Sequence, residues 1–379
     1  MSKKFLVILA SVFGLLLFSG AGCIEFGGGA ATTVGPLGMF RSPDRGENWV
    51  PVNTVLTAQG VKSLAGVNIY KIFTDPNDPD AIYAATRGQG LFYSYNRGDS
   101  WEQVTPLSGR FIYAVAIDPQ NKCVLYVSDG PHIYKTTDCT RTWQLLYTEG
   151  RPNERIVSLA IDYARSSLIY AATVGGDILG SDDYGASWLV IRRFGMAVQA
   201  LVADPTAAKR IYVATQNNGL FRSDDAGSTW VDLNAGLSPY SGSLTFYRLI
   251  LHPTKKNVIF WLSKYGILRS NDAGKTWADY KLITPPGGVN IYGFGIDPTN
   301  DNNIYYIGTI FAPKDASAEL SLFGSSNANL PIRSTFYKSV DGGKSWITKR
   351  LPSTAVPVVL YVQPTDPNVL FVGFTNPQQ

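Results

Sequence analysis

The chain has 379 residues, of which 45% are hydrophobic and only 16% are charged, so it can bury a large core. Its 37 glycines, 22 prolines and 12% aromatic residues favour short strands and tight turns over long helices. The formal net charge of +4 is small and gives no indication of nucleic-acid binding.

The N-terminal segment has the pattern of an export signal. Lys3 and Lys4 precede an uncharged run over residues 5–18, and the small residues Ser-Gly-Ala-Gly then lead to Cys23. Such a run is too short for an ordinary membrane-spanning helix and suits a signal peptide. We expect a signal peptide over 1–22 and a flexible glycine-rich tether over 23–36.

The small residues before Cys23 resemble the lipobox of bacterial lipoproteins, in which that cysteine is lipidated and becomes the mature N-terminus. Gly20 departs from the leucine that is usual three residues before the cysteine, so ordinary signal cleavage nearby is the alternative. The resemblance implies a membrane-anchored lipoprotein of the bacterial cell envelope, on its periplasmic or extracellular side.

One octapeptide recurs along the rest of the chain, as in SDDAGSTW. The seven copies end at Trp49, Trp101, Trp143, Trp188, Trp230, Trp277 and Trp346, and their third positions are Asp44, Asn96, Asp138, Asp183, Asp225, Asp272 and Asp341. Near-constant spacing over most of the chain indicates a repeat architecture. Each copy lies between two strand-like segments, so it predicts a hairpin turn in which the acid accepts backbone N–H groups and the glycine takes positive φ. We therefore assign the acids to structure, not to catalysis, and expect each tryptophan to pack against the neighbouring repeat.

A second element precedes each copy: an apolar strand, an Asp-Pro turn and another strand, as in VAIDPQNKCVLYVS. Four short antiparallel strands per repeat are typical of a β-propeller blade. The N-terminal strands and the last two strands supply two halves of one blade. The sequence thus predicts an all-β, single seven-bladed propeller over 37–379 with four-stranded antiparallel blades, closed by the two chain ends.

The octapeptides resemble the Asp-box, or bacterial neuraminidase repeat, of sialidases, xyloglucanases, sortilin-type receptors and photosystem II assembly factors. The resemblance covers nearly the whole mature chain and implies fold, not function. Sialidases carry an Arg-Ile-Pro motif that is absent here, and xyloglucanases resemble two tandem propellers with aspartates between them. The single exported propellers of the assembly-factor type are most similar in architecture, and they imply a non-catalytic role.

A propeller has two faces, and the predicted topology distributes charge unequally between them. The Asp-Pro turns and Asp-boxes lie on one face, which we call the turn face; the loops from second to third strands and between blades form the loop face. The predicted partner-binding residues of the loop face are Arg110, Arg151, Arg155, Arg193, Arg248, Tyr113, Phe194 and Tyr247. Arginine and tyrosine suit an acidic protein or glycan partner; the alternative is ordinary loop polarity.

Catalytic and metal chemistry find little support. The loop face offers the acids Asp129, Glu149, Glu154 and Asp177, and none forms a recognisable pair for glycoside hydrolysis. His132 and His252 have no partner at metal-ligand spacing, so we expect no metal and no cofactor. A non-catalytic scaffold or assembly factor, monomeric or within a larger envelope complex, is favoured; an extracellular glycoside hydrolase is the alternative.

Two features remain. Cys123 and Cys139 fall opposite each other if residue numbers of paired positions sum to 262, which predicts a disulfide beside the one box whose glycine is replaced, by Thr140. Two buried thiols are the alternative. An insertion over 310–335 breaks the period and is either a docking flap on the loop face or a variable loop.

Overall fold

The computed structural model describes residues 35–311 and 331–376. The predicted signal peptide, Cys23 and almost all of the tether lie outside the described residues, as does most of the insertion. Within the two described ranges, no helix has the length and apolar character that a membrane crossing requires.

The strands follow the four-per-repeat pattern. The chain begins with β1 (Gly38–Ser42), β2 (Val50–Pro51), β3 (Thr54–Thr57) and β4 (Gly60–Ser63). Blade 1 consists of β5 (Ile69–Thr74), β6 (Ile82–Thr86), β7 (Leu91–Ser94) and β8 (Glu102–Gln103). Blade 2 consists of β9 (Ala114–Asp118), β10 (Asn121–Ser128), β11 (His132–Thr136) and β12 (Gln144–Thr148). Blade 3 consists of β13 (Ile156–Ile161), β14 (Ile169–Thr173), β15 (Asp177–Ser181) and β16 (Leu189–Arg193).

The second half continues the same order. Blade 4 consists of β17 (Val198–Ala203), β18 (Ile211–Thr215), β19 (Leu220–Ser223) and β20 (Val231–Asp232). Blade 5 consists of β21 (Phe246–Leu251), β22 (Ile259–Ser263), β23 (Ile267–Ser270) and β24 (Ala278–Asp279). Blade 6 consists of β25 (Asn290–Asp297), β26 (Asn300–Phe311), β27 (Pro331–Ser339) and β28 (Ile347–Arg350). The last strands are β29 (Val356–Val362) and β30 (Leu370–Thr375); the short α1 (Asn234–Leu237) and the 3-10 turns Leu64–Gly66 and Thr105–Leu107 complete the elements.

The ring closes as the sequence predicts. Six blades are consecutive four-stranded antiparallel sheets, and the seventh, the closing blade, has the order β2-β1-β30-β29. Its two halves pair in antiparallel register, with Phe40 opposite Val372. The seven-bladed propeller is therefore confirmed, and backbone hydrogen bonds between β1 and β30 close the ring.

The Asp-box is a self-contained hydrogen-bonded turn. In the box of blade 4, the Ser223 hydroxyl donates to Asp225 Oδ1 and accepts the Gly227 N–H, both at 2.8 Å. Asp225 accepts the Thr229 N–H at 2.8 Å and the Thr229 hydroxyl at 2.6 Å. Both Ala226 and Gly227 are left-handed, with φ of 65° and 91°. The sequence analysis predicted positive φ only for the glycine and did not predict it for Ala226.

The indole of each box packs against the preceding blade, as in Trp49 on Phe336 of blade 6 and Trp188 on Tyr147 of blade 2. The tryptophan ends the turn and the fourth strand starts one residue later, as at Val231 after Trp230. The box therefore stabilises both its own hairpin and the contact between blades.

The box carboxylates predict a loss of stability in acid. Hydrogen bonds from the hydroxyl four residues on lower the pKa of Asp138, Asp183, Asp225 and Asp341 from 3.8 to about 2. A depressed folded-state pKa stabilises the fold above the unfolded value of 3.8, and this contribution is lost as pH falls through about 2. We expect the urea midpoint to fall steeply between pH 4 and about 2.

Asp225→Asn is the matched variant, because blade 1 already carries Asn96 at this position, with its Oδ1 accepting the Ser100 N–H at 3.0 Å. The variant should retain the fold, and its urea midpoint should fall less steeply between pH 4 and about 2 than that of the wild type. If the urea midpoint of the variant depends on pH as that of the wild type does, the box carboxylate does not stabilise the fold through its ionised form.

The cysteine pair is present, but the predicted register is wrong by one residue. β10 and β11 pair Leu125 with Thr136 and Tyr126 with Lys135, so paired numbers sum to 261. Cys139 is left-handed, with φ of 56°, and its N–H donates to the Cys123 carbonyl at 3.2 Å. The left-handed turn at Cys139 offsets the one-residue difference in strand register, so Cys139 still lies beside Cys123. The two cysteines form a disulfide.

Candidate ligand-binding face

The turn face is held together by its own acids. Asp118 Oδ1 accepts the Gln120 N–H within its turn and the Ser166 hydroxyl of the next blade. Asp162 likewise accepts the Ala164 N–H and the Lys209 N–H of the next blade. These carboxylates are buried and satisfied, so they stabilise contacts between blades.

The loop face is built around the entrance to the central channel. Six of the seven inner strands carry a register shift near their first residue, where one residue bulges out of the ladder. In blade 2 the equivalent residue, Tyr113, lies directly before β9. The residues at this position in the seven blades are Tyr70, Tyr113, Val157, Gln199, Tyr247, Tyr292 and Val358. Four tyrosines therefore surround the channel entrance.

The tyrosines belong to two aromatic clusters. Tyr70 meets Phe111 edge to face at 4.9 Å between ring centroids, and Phe111 stacks on Tyr113 at 4.2 Å. On the far side, Tyr247 and Tyr292 are 5.5 Å apart. We call this ring, with its adjoining cations, the channel mouth.

Two arginines of the channel mouth have no carboxylate partner among the described residues. The Arg87 guanidinium lies 5.6 Å above the Tyr70 ring, and its Nε is buried without a hydrogen bond. Arg155 is exposed, and a side chain at Gly130 would touch both Arg155 and the Tyr113 ring. Positive charge and aromatic surface therefore lie side by side here.

Three of the five arginines predicted from the sequence are instead neutralised within the protein. Arg110 pairs with Asp129 and also contacts the Tyr134 hydroxyl at 2.9 Å. Arg151 pairs with both Glu149 and Asp177 at 2.8 Å, and Arg193 lies 3.5 Å from Asp177. The predicted basic loop face is thus smaller than expected, because neighbouring loops carry compensating acids.

Phe194 also has a structural role that the sequence analysis did not predict. Its ring packs on Phe221 and Trp230 of blade 4, at 4.8 and 5.1 Å, and Arg192 lies above it. These contacts place Phe194 between two blades. Of the predicted residues, only Tyr113, Arg155, Tyr247 and Arg248 are at the channel mouth.

Two further cations lie deeper, immediately beyond the bulges. Lys71 on β5 donates to the Tyr113 carbonyl at 3.3 Å and lies 4.9 Å from the Tyr70 ring centre. Arg248 on β21 donates to the carbonyls of Tyr292 in blade 6 and Val358 in the closing blade. Burial and the charge of Arg248 lower the pKa of Lys71 to about 7, and burial also lowers the pKa of Arg248.

Lys71 and Tyr70 were missed by the sequence analysis, although the repeat contains a signal for both. The inner strands IYKIFTDP of blade 1 and FYRLILHP of blade 5 align on their prolines, which places Lys71 and Arg248 at the same position. A cation in an otherwise apolar inner strand is unusual, and its recurrence identifies the position.

The acids and histidines of the loop face do not form a hydrolytic pair. Glu149 and Asp177 do come together, which the sequence analysis did not predict, but Arg151 lies between them. Hydrogen bonds from Arg151 lower the pKa of Glu149, whereas a general acid needs a raised pKa.

Both histidines have structural partners. His132 Nδ1 lies 3.1 Å from Asp129, and His252 takes the place of an Asp-Pro acid, its Nδ1 accepting two backbone N–H groups. The described residues contain no group of three or more acids, histidines or cysteines that could hold a metal ion.

The described ends of the insertion lie on the loop face. Residues 310–311 and 331–335, counted from the sequence as part of a loop, instead extend β26 and β27. Phe311, at the end of β26, contacts Tyr292 edge to face at 6.3 Å. The base of the insertion therefore borders the channel mouth, and residues 312–330 lie outside the described part of the chain.

Known proteins that are similar to this chain in fold include enzymes and a protein solved with a bound peptide. The family model described as "Sortilin, neurotensin receptor 3" matches residues 176–266, which run from blade 3 into blade 5. A curated xyloglucanase of Paenibacillus sp is 24% identical over 184 residues, 42% of this chain and 15% of the relative.

Two solved structures complete the comparison. A GH74 enzyme of Niastella koreensis superimposes with a TM-score of 0.61 and 18% identity, over 82% of this chain and 51% of that one. The structure described as YCF48 bound to D1 peptide superimposes with a TM-score of 0.57 and 13% identity, over 82% of this chain and 94% of that one. In fold, the chain is similar to both an enzyme and a peptide-bound protein. It spans about half of the GH74 structure and nearly all of YCF48.

Proposed function

We propose that the chain is an exported, non-catalytic propeller that binds a carboxylate-bearing protein or glycan at the channel mouth, as a scaffold or assembly factor anchored through Cys23. The observation that carries the proposal is the pair Arg87 and Arg155, which lack carboxylate partners among the described residues and border the tyrosine ring. Elsewhere on the loop face, Arg110, Arg151 and Arg193 are already neutralised by carboxylates.

The chemistry of this combination favours recognition. An unpaired guanidinium can form two parallel hydrogen bonds with a carboxylate, and a neighbouring ring supplies rigid contact area at low entropic cost. Tyrosine and arginine are the residues that dominate binding energy at protein interfaces. The likeness to YCF48, a single propeller solved with a bound peptide, supports this proposal at the level of architecture.

Affinity capture from the native envelope tests the proposal. The wild-type protein is compared with Arg87→Gln/Arg155→Gln, and the matched control is Arg141→Gln/Lys256→Gln, which removes the same charge from exposed positions of the turn face. Losing two charge-assisted contacts should weaken partner binding by about 100-fold or more. Equal recovery of the partner by all three proteins would contradict the proposal.

Glycoside hydrolysis is the second candidate function, favoured by the likeness to xyloglucanases. Among the described carboxyl groups with a shifted pKa, only Asp75 has a raised value, which burial causes. Its side chain is 3% exposed, on the turn face, so a saccharide cannot reach it without rearrangement. Release of reducing sugar from xyloglucan by the purified wild-type protein would establish this alternative, and no release would contradict it for this substrate.

A further inference from the structure

Arg248 extends across the rim of the channel. Its backbone is in blade 5, yet its guanidinium donates to carbonyls of blade 6 and of the closing blade. Blade 1 follows the closing blade in the ring and carries Lys71, whose pKa is lowered by burial and also by the charge of Arg248. The Arg248 guanidinium therefore ends at the blade that neighbours blade 1, which carries Lys71.

Both cations retain unused hydrogen-bond donors. Arg248 has five N–H groups and uses two; the Lys71 ammonium has three and uses one. In the described part of the chain, no carboxylate forms an ion pair with either side chain. The charge of Arg248 acts on Lys71, and Tyr70 acts on Arg248. Enclosed charges are ordinarily paired, because desolvating an uncompensated ion is costly.

We propose that Lys71 and Arg248 form a binding site for one oxyanion in the channel, and that its occupant is a carboxylate of a ligand entering through the channel mouth. An oxyanion accepts several N–H donors at once, which matches the donors left free.

The surroundings favour a carboxylate on a carbon skeleton over a free inorganic anion. At the equivalent position, blades 2, 3 and 4 carry only the small residues Ala114, Ser158 and Ala200. Directly above, the four tyrosines offer apolar ring surface to the rest of the ligand. The identity of the ligand rests on the proposed function; the anion site itself rests on the channel geometry.

Calorimetric titration of the mature chain tests the site. The probes are acetyl-Ala-Ala, its C-terminal amide and sodium sulfate, each at constant ionic strength and pH 6, where Lys71 is charged. We expect the free acid to bind, the amide not to bind, and Lys71→Met to weaken acid binding about tenfold or more. Lys256→Met, an exposed position on the turn face, is the control and should bind as the wild type does.

Each alternative outcome has a defined meaning. If neither anion binds, or if Lys71→Met binds the acid as tightly as the wild type, the site is refuted. Sulfate binding without acid binding refutes the carboxylate occupant. The Lys71 side chain makes a single hydrogen bond, to the Tyr113 carbonyl. Lys71→Met should therefore fold even if Arg248→Met does not.

The capture experiment separates this inference from the proposed function. If capture depends on Arg87 and Arg155 while the titration shows no binding, only the channel site fails. If the acid binds but capture does not depend on the mouth arginines, the proposed function fails and the anion site stands.

Discussion

Replacing Trp101 with alanine should lower the free energy of unfolding by about 3–5 kcal/mol. Its side chain is 0% exposed and lies in the core cluster shared by the closing blade and blade 1. The indole N–H donates to the Val52 carbonyl at 2.8 Å, and the backbone of Trp101 bonds to Thr54 and Leu56 of β3. The variant therefore loses both a large buried surface and a hydrogen bond from blade 1 to the segment that follows β2 of the closing blade.

Trp188→Ala is the matched control. Trp188 occupies the same box position in blade 3, but it is only half-buried and its indole donates within its own turn, to Gly185. Chemical denaturation of both variants should show the larger loss for Trp101→Ala. Equal losses would mean that the contacts of Trp101 with the β3–β4 hairpin add nothing to its stability contribution.

Deleting residues 356–376 should abolish cooperative unfolding. The segment contains β29 and β30, and it supplies the fully buried Phe371 and Phe374 to two core clusters. Its removal exposes the edge of β1 and leaves the ring open, a condition that promotes association between unpaired strands. Size-exclusion chromatography and thermal melting should show aggregated protein without a sharp transition; a monomer that melts near the wild-type temperature would contradict the closure.

The fold was predictable because the repeats encode it redundantly. Each box fixes a hairpin, five of them through a hydroxyl, an acid and a glycine and two with Asn96 or Thr140 as a replacement, and seven copies fix the number of blades. The β3–β4 hairpin was not predicted, because it occurs once and its strand residues are mostly exposed. The cysteine register was wrong by one residue because Cys139 is left-handed without being a glycine.

The candidate site was only partly predictable. Topology assigned arginines to the correct face, but pairing such as Arg110 with Asp129 depends on loop conformations that no sequence period encodes. Lys71 was missed because its strand was considered as apolar core, whereas its ammonium group bonds to the Tyr113 carbonyl beside the tyrosine ring. Comparing equivalent positions across blades would have identified Lys71 together with Arg248.

Site-specific photo-crosslinking tests most directly whether the channel mouth is the binding surface. A photoreactive phenylalanine derivative is placed at Phe111, beside the Tyr70 and Tyr113 rings, or at Tyr184, which is 52% exposed in a box of the turn face. Irradiation in the native envelope should join one defined partner to the protein labelled at position 111, and not to the one labelled at position 184. Crosslinking from position 184 alone, or the same partner from both positions, would contradict recognition at the channel mouth.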